Sequence, residues 1–186
     1  MNEMADAAAV RANTQRWLER AVIGLNLCPF AKAVHANGQI HYAVSAASSA
    51  DALLTALEAE LIALLAHEPQ ERDTTLLIAP AMLAEFADFN DFLELANIHL
   101  RLLALQGQVQ LASFHPNYQF QGTAADDIAN ATNRAPYPML HLLREASVSR
   151  ALQALPHANR IVERNVQTLR ELGHAGWQAL GVGRGA

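Results

Sequence analysis

One cysteine, Cys28, occurs in 186 residues. That excludes an internal disulfide framework and a cysteine-rich zinc site. With no second thiol to resolve an oxidised intermediate, a dithiol redox cycle within one chain is excluded too. Lysine is almost as scarce: Lys32 is the single one among 13 basic residues. The arginines that replace it suit bidentate contacts with carboxylate or phosphate, although a GC-rich genome produces the same bias with no function behind it. The basic groups are scattered, the formal charge is −5 and the pI is near 5.9, which argues against a nucleic-acid binder. No apolar run reaches the ~18 residues of a membrane span. The opening "MNEMADAAAV" has neither a basic n-region nor an apolar stretch, so no signal peptide is read and a cytoplasmic location is expected. Without secretion the "NAT" sequon at 130–132 carries no meaning. GxGxxG, the P-loop and GxSxG are all missing, which removes the usual dinucleotide, nucleotide and α/β-hydrolase readings.

What is present is aliphatic. Hydrophobic residues make up 52% of the chain and aromatics only 6%, so Ala and Leu must form most of the core. Neither an internal repeat nor a linker interrupts it. We expect one domain over 1–186, with 1–12 and 182–186 poorly ordered.

The periodicity predicts alternating elements. "NTQRWLERAVIGLN" places Trp17, Leu18, Ala21, Val22 and Leu25 on one helical stripe, with Asn26 as its stop. "QIHYAVS" alternates as a strand should. "SSADALLTALEAELIALLAHEP" predicts a helix capped by Ser48 or Ser49, and "DTTLLIAP" a buried strand. A second long helix runs to Gly107, and "QVQLASF" is a third strand. Helices are expected near 138–148, starting at Pro138, and over 158–173, where Ile161, Val162, Val166, Leu169 and Leu172 bury. The fold class is therefore α/β: a small, mainly parallel sheet of about three strands with βαβ crossovers, helices packed on it and a C-terminal helical segment.

Ligands of such sheets bind beyond the carboxyl ends of the strands. The longest connection there, "FHPNYQFQGTAADDIANATNRAPYP", carries aromatics that seek burial, so the site is placed on it. His115, just past the third strand, is a candidate general acid or base, and its alternative is to cap the strand end. Tyr118 is its polar partner. Asn133 and Arg134, ahead of the predicted helix, are candidates to hold an anionic substrate. His141 and Arg144 are further substrate-binding candidates that share a helical face with Glu145, weighed against a plain solvated face.

Cys28 is the candidate nucleophile. If Pro29 opens a short helix "PFAKAV", Cys28 is its N-cap, and helix amides with Lys32 favour the thiolate while His115 supplies the base. The competing reading, between Leu27 and Phe30, is a buried apolar plug. Metal ligation by His35, His41, His115 and His141, or by His115 with Asp126 or Asp127, has no supporting ligand spacing, so no metal or cofactor is expected.

The segments "TQRWLERAVIGLNLCPFAKAV", "DTTLLIAP", "ASFHPNYQF" and "TNRAPYPMLHLLREASV" resemble the uncharacterised domain-of-unknown-function family 1415 of bacteria and plants, from about Thr14 to Leu180. The resemblance implies that CPF, FHPxYxF and NRxPYPxLHLLRE are hallmarks of that family. It implies no known activity. The expectation is a small-molecule enzyme, hydrolase or transferase. It performs acyl or hydrolytic transfer if Cys28 takes part and proton transfer if not, on a small anionic molecule. The alternative is a non-catalytic metabolite- or protein-binding module. Nothing in the pattern assigns an oligomeric state.

Overall fold

The computed structural model describes residues 3–154 and 160–184. Helix α1 (Glu3–Trp17) passes without a break into one π-helical segment (Leu18–Ile23), and a tight turn follows. Gly24 makes that turn possible, since a Cβ there would lie 2.3 Å from the Arg20 carbonyl oxygen. Asn26, in the left-handed region at φ 52°, is the stop that the sequence suggested. After α2 (Ala31–Ala36) come β1 (Ile40–Val44), α3 (Ala50–Ala66), β2 (Thr74–Ile78), α4 (Phe86–Leu102) and β3 (Val109–Phe114). Ser49 caps α3, its hydroxyl accepting the Ala52 N–H at 3.3 Å.

The sheet has four strands, not three, in the order β1-β2-β4-β3. Its extra member is β4 (Met139–Arg144), lying where a helix was expected, and α5 (Glu145–Ala154) begins only after it. "MLHLLR" is an apolar run with no alternation, which fits a helix stripe as well as a strand buried on both faces. Here the second holds: Met139 packs with one core cluster, and Leu140 and Leu142 with the other. Pro138 precedes the strand rather than opening a helix, and its carbonyl accepts the Ala79 N–H at 3.0 Å. Among the described residues only β1–β2 is a parallel pair, because β4 runs antiparallel to both β2 and β3. The three strands read from sequence still point the same way, so their carboxyl ends gather at one edge.

Helices α3 and α4 cover one face, burying Leu53, Leu57, Leu61 and Leu64 against Phe89, Phe92, Ala96 and Leu100. Trp17, Leu18, Ala21 and Val22 cover the other with Tyr42, Leu76, Ile78 and Tyr137. Expectation and structure part in one further place. Helix α6 runs Ile161–Ala179, bent at Gly173, and its Val162 is 70% exposed, while Asn165 and Leu169 bury (158 and 159 lie outside the described residues). Within the described span, Val10 and Val182 are buried, and Arg184 Nε donates to the Pro136 carbonyl at 2.7 Å.

Candidate functional site

At the carboxyl edge, the loop after β3 is held by its own polar residues. Asn130, fully buried, accepts the Phe120 N–H (3.0 Å) and the Thr123 hydroxyl (2.8 Å), and donates to the Ala124 carbonyl (2.9 Å). Asn133 donates to the Ser113 carbonyl (3.1 Å). Arg134 spends its guanidinium on the carbonyls of Tyr118 and Ala125, and its own carbonyl accepts the Trp17 indole N–H at 2.8 Å. The Tyr118 ring meets Phe86 at a tilt and Phe120 edge to face, with centroids 5.1 and 5.0 Å away. The side chains of Asn133 and Arg134 are bonded to backbone carbonyls of β3 and of the loop itself.

His115 is wholly buried. Its Nδ1 accepts the Asn117 backbone N–H at 3.0 Å, so the ring proton sits on Nε2, which donates to the Leu83 carbonyl at 2.9 Å. The ring lies against Phe86 and Phe89, with centroids at 5.3 and 5.1 Å. Burial pushes its pKa down, outweighing the Leu83 bond, which favours the charged form. A neutral imidazole with both nitrogens occupied has no lone pair left for a substrate proton. It instead fastens Leu83, a leucine held in the left-handed region at φ 57°.

Cys28 does not join it. Helix α2 starts later than the proline suggested, with Phe30 as N-cap, so Cys28 stands two residues outside the cap. It is partly buried against the Trp17 cluster, whereas the His115 ring packs on Phe86 and Phe89 of α4, so the two side chains have different packing partners. His141 and Arg144 sit on a strand, not on one helical face. His141 Nε2 pairs with the Thr74 hydroxyl at 2.7 Å, and burial pushes its pKa down to about 4. Arg144 gathers the carbonyls of Leu64, His67 and Arg72, closing the C-terminal end of α3. The four histidines weighed as ligands have four separate partners: Glu19 for His35, Glu60 for His41, Leu83 for His115 and Thr74 for His141. Among the described residues no group of three or more His, Cys, Asp or Glu side chains could hold a metal.

An open cleft lies elsewhere, along β1 at the opposite edge of the sheet from β3. It has a volume of about 370 Å³ and is lined by Arg11, Gln15, His35, Gly38, Ile40, His41 and Tyr42. That volume is within the range of small-molecule sites. Arg11 and Gln15 share a face of α1 at i, i+4. Arg11 Nη2 donates to the Tyr42 carbonyl (3.3 Å), its one bond among the described residues, and so blunts the edge strand while leaving other N–H groups uncommitted. His35 and His41 are drawn toward Glu19 (3.3 Å) and Glu60 (3.7 Å). Burial, and then Arg72, lowers the His41 pKa, so near neutral pH that ring is uncharged. The Tyr42 hydroxyl is buried and no described residue bonds it. Burial first, and Glu19 second, push its pKa up to about 12, so it keeps its proton and can donate. Sequence reading missed Arg11, Gln15, Gly38 and Tyr42 as site residues. The one available signal was a tyrosine at an apolar position of an alternating strand, whose polar tip needs a partner.

No helix among the described residues is long and apolar enough to cross a membrane. No curated protein and no solved structure matches the chain. The family model described as protein of unknown function (DUF1415) matches residues 9–179, a span that takes in both the cleft on β1 and the loop after β3, and the chain belongs to that family.

Proposed function

We propose that this chain is a cytoplasmic binding protein for a small, singly charged anionic metabolite, held in the cleft along β1. The observation that carries the reading is the Tyr42 hydroxyl, buried with no partner among the described residues, on a residue whose cleft is also lined by an arginine with donors to spare. A buried hydroxyl left unbonded costs about 1–3 kcal/mol, and a bound acceptor recovers that cost. Arg11 supplies the one full positive charge, Gln15 and the neutral His41 supply polar contacts, and Ile40 gives an apolar wall. A small carboxylate with further hydroxyl or carbonyl groups matches this set. A polyphosphate, which needs several cations, does not. An acid–base enzyme centred on His115 is less well supported, since that imidazole is already bonded at both nitrogens.

Thermal melts with hydroxycarboxylates, acetate and inorganic phosphate test the proposal. A cognate ligand at ~100 times its Kd stabilises by about 2.7 kcal/mol, roughly 5–10 °C for a chain of this size. Tyr42→Phe is expected to leave the free protein as stable or slightly more stable and to weaken binding severalfold. Arg11→Gln should weaken it by about tenfold or more. Melting shifts that survive both substitutions place the ligand outside this cleft.

A further inference from the structure

The outer surface of α3 and α4, remote from the cleft, carries large apolar side chains that the core does not use. Ile62 on α3 is 59% exposed, and on α4 Leu95, Ile98 and Leu102 are exposed as well, Leu102 by 78%. On α4 the exposed residues Asp88, Asp91, Leu95, Ile98 and Leu102 recur at alternating intervals of three and four, the spacing of a coiled-coil seam. Both helices return from the carboxyl edge over the same face of the sheet, so they run in the same direction. The bond from His99 to Glu58 (2.9 Å) fixes their register, and one turn further along brings Ile62 beside Leu102. Single exposed apolar residues are ordinary, whereas four gathered in one patch mark a contact surface.

The charges on α4 say what kind of partner fits. Its exposed acids, Asp88, Asp91 and Glu94, occupy the first half, and Arg101 and His99 lie in the last turn. A helix divided in this way complements itself when reversed. Laid antiparallel on a second copy, Leu95 layers against Ile98 and Glu94 comes to face Arg101 of the second copy. A uniformly charged partner gains no such match. Two 17-residue helices, each about 25 Å long and about 10 Å apart, present a face on the order of 500 Å² per copy, near the lower end of specific interfaces.

We propose that this face is a homodimer interface, with α4 of two copies packed antiparallel across a two-fold axis and Ile62 at its flank. We expect a dimer in the micromolar range, with a small face that carries few large anchors. Sedimentation equilibrium of the full chain tests it, with the cleft-binding measurement as an independent check of folding. The wild-type chain should dimerise in the micromolar range, and Ile98→Glu should be monomeric throughout that range. Arg101→Glu should weaken the dimer about tenfold at low salt, and Glu94→Arg added to it should restore the affinity. The surface pair keeps the test open if Ile98→Glu fails to fold. A wild-type chain that stays monomeric overturns the proposal, whatever other protein it binds. So does a dimer indifferent to Ile98→Glu, or one that Arg101→Glu leaves unchanged.

Discussion

Replacing His115 by alanine is expected to lower the free energy of unfolding by about 3 kcal/mol while leaving any anion affinity of the β1 cleft unchanged. The size follows from what the ring does. It fills fully buried space against Phe86 and Phe89, and its removal takes the hydrogen-bond partner from two part-buried backbone groups, the Leu83 carbonyl and the Asn117 N–H. The Leu83 turn, in a backbone region that leucine avoids, then loses its tie. His115→Gln, whose amide can still reach one of the two, should cost less. Chemical denaturation midpoints for the three proteins check this. Native stability in the alanine variant would mean that His115 is not the structural clamp described, and would return it to the candidates for chemistry.

Acid should destabilise the protein through the imidazoles whose pKa is lowered in the fold, His141 foremost. A histidine whose folded pKa lies below its unfolded value binds its proton more readily once unfolded. Its contribution is therefore complete above about pH 6.5 and is lost as the pH falls through the folded value. For His141 the folded value is about 4, so the loss develops between pH 6.5 and pH 4 and totals roughly 3 kcal/mol. His115, lowered in the same direction by burial, adds to it. In His141→Gln an amide can still donate to the Thr74 hydroxyl, which itself donates to the Leu142 carbonyl at 2.7 Å. That variant should lose much less stability than the wild type between roughly pH 7 and pH 4.5. The measurement is the urea midpoint as a function of pH. Curves that run parallel for the two proteins would show that His141 is not held neutral by its surroundings.

The parts of the fold that local pattern determines were legible. The amphipathic stripe at Trp17–Val22, the serine cap at Ser49, the Asn26 stop and three strands can all be read from neighbours a few residues apart. Strand β4 could not be read this way. Its identity depends on being enclosed by β2 and β3 and by helices on both faces, and a run such as "MLHLLR" has no local feature that reports such enclosure. One missed strand had consequences for the site. Inserting β4 beside β2 leaves β1 at a free edge, where the cleft forms, and puts the imidazole loop at the other edge. The loop residues Tyr118, Asn133 and Arg134 lie on one continuous segment, which is why the sequence suggests grouping them. Their hydrogen bonds to its backbone are a tertiary matter that residue type alone does not disclose. Cys28 and His115 were joined on chemistry alone, and they pack against different partners, the Trp17 cluster and α4. The cleft draws Arg11 and Gln15 from α1, His35 from α2 and Tyr42 from β1, and no motif spans elements so dispersed.

The most direct measurement is an amide ¹H–¹⁵N titration of the wild-type chain with a small hydroxycarboxylate, read residue by residue. The account predicts saturable shifts confined to Arg11, Gln15, His35 and the stretch from Gly38 to Tyr42, absent in Arg11→Gln. Saturable shifts centred instead on the loop around His115, Tyr118 and Arg134, with the β1 edge silent, would contradict it.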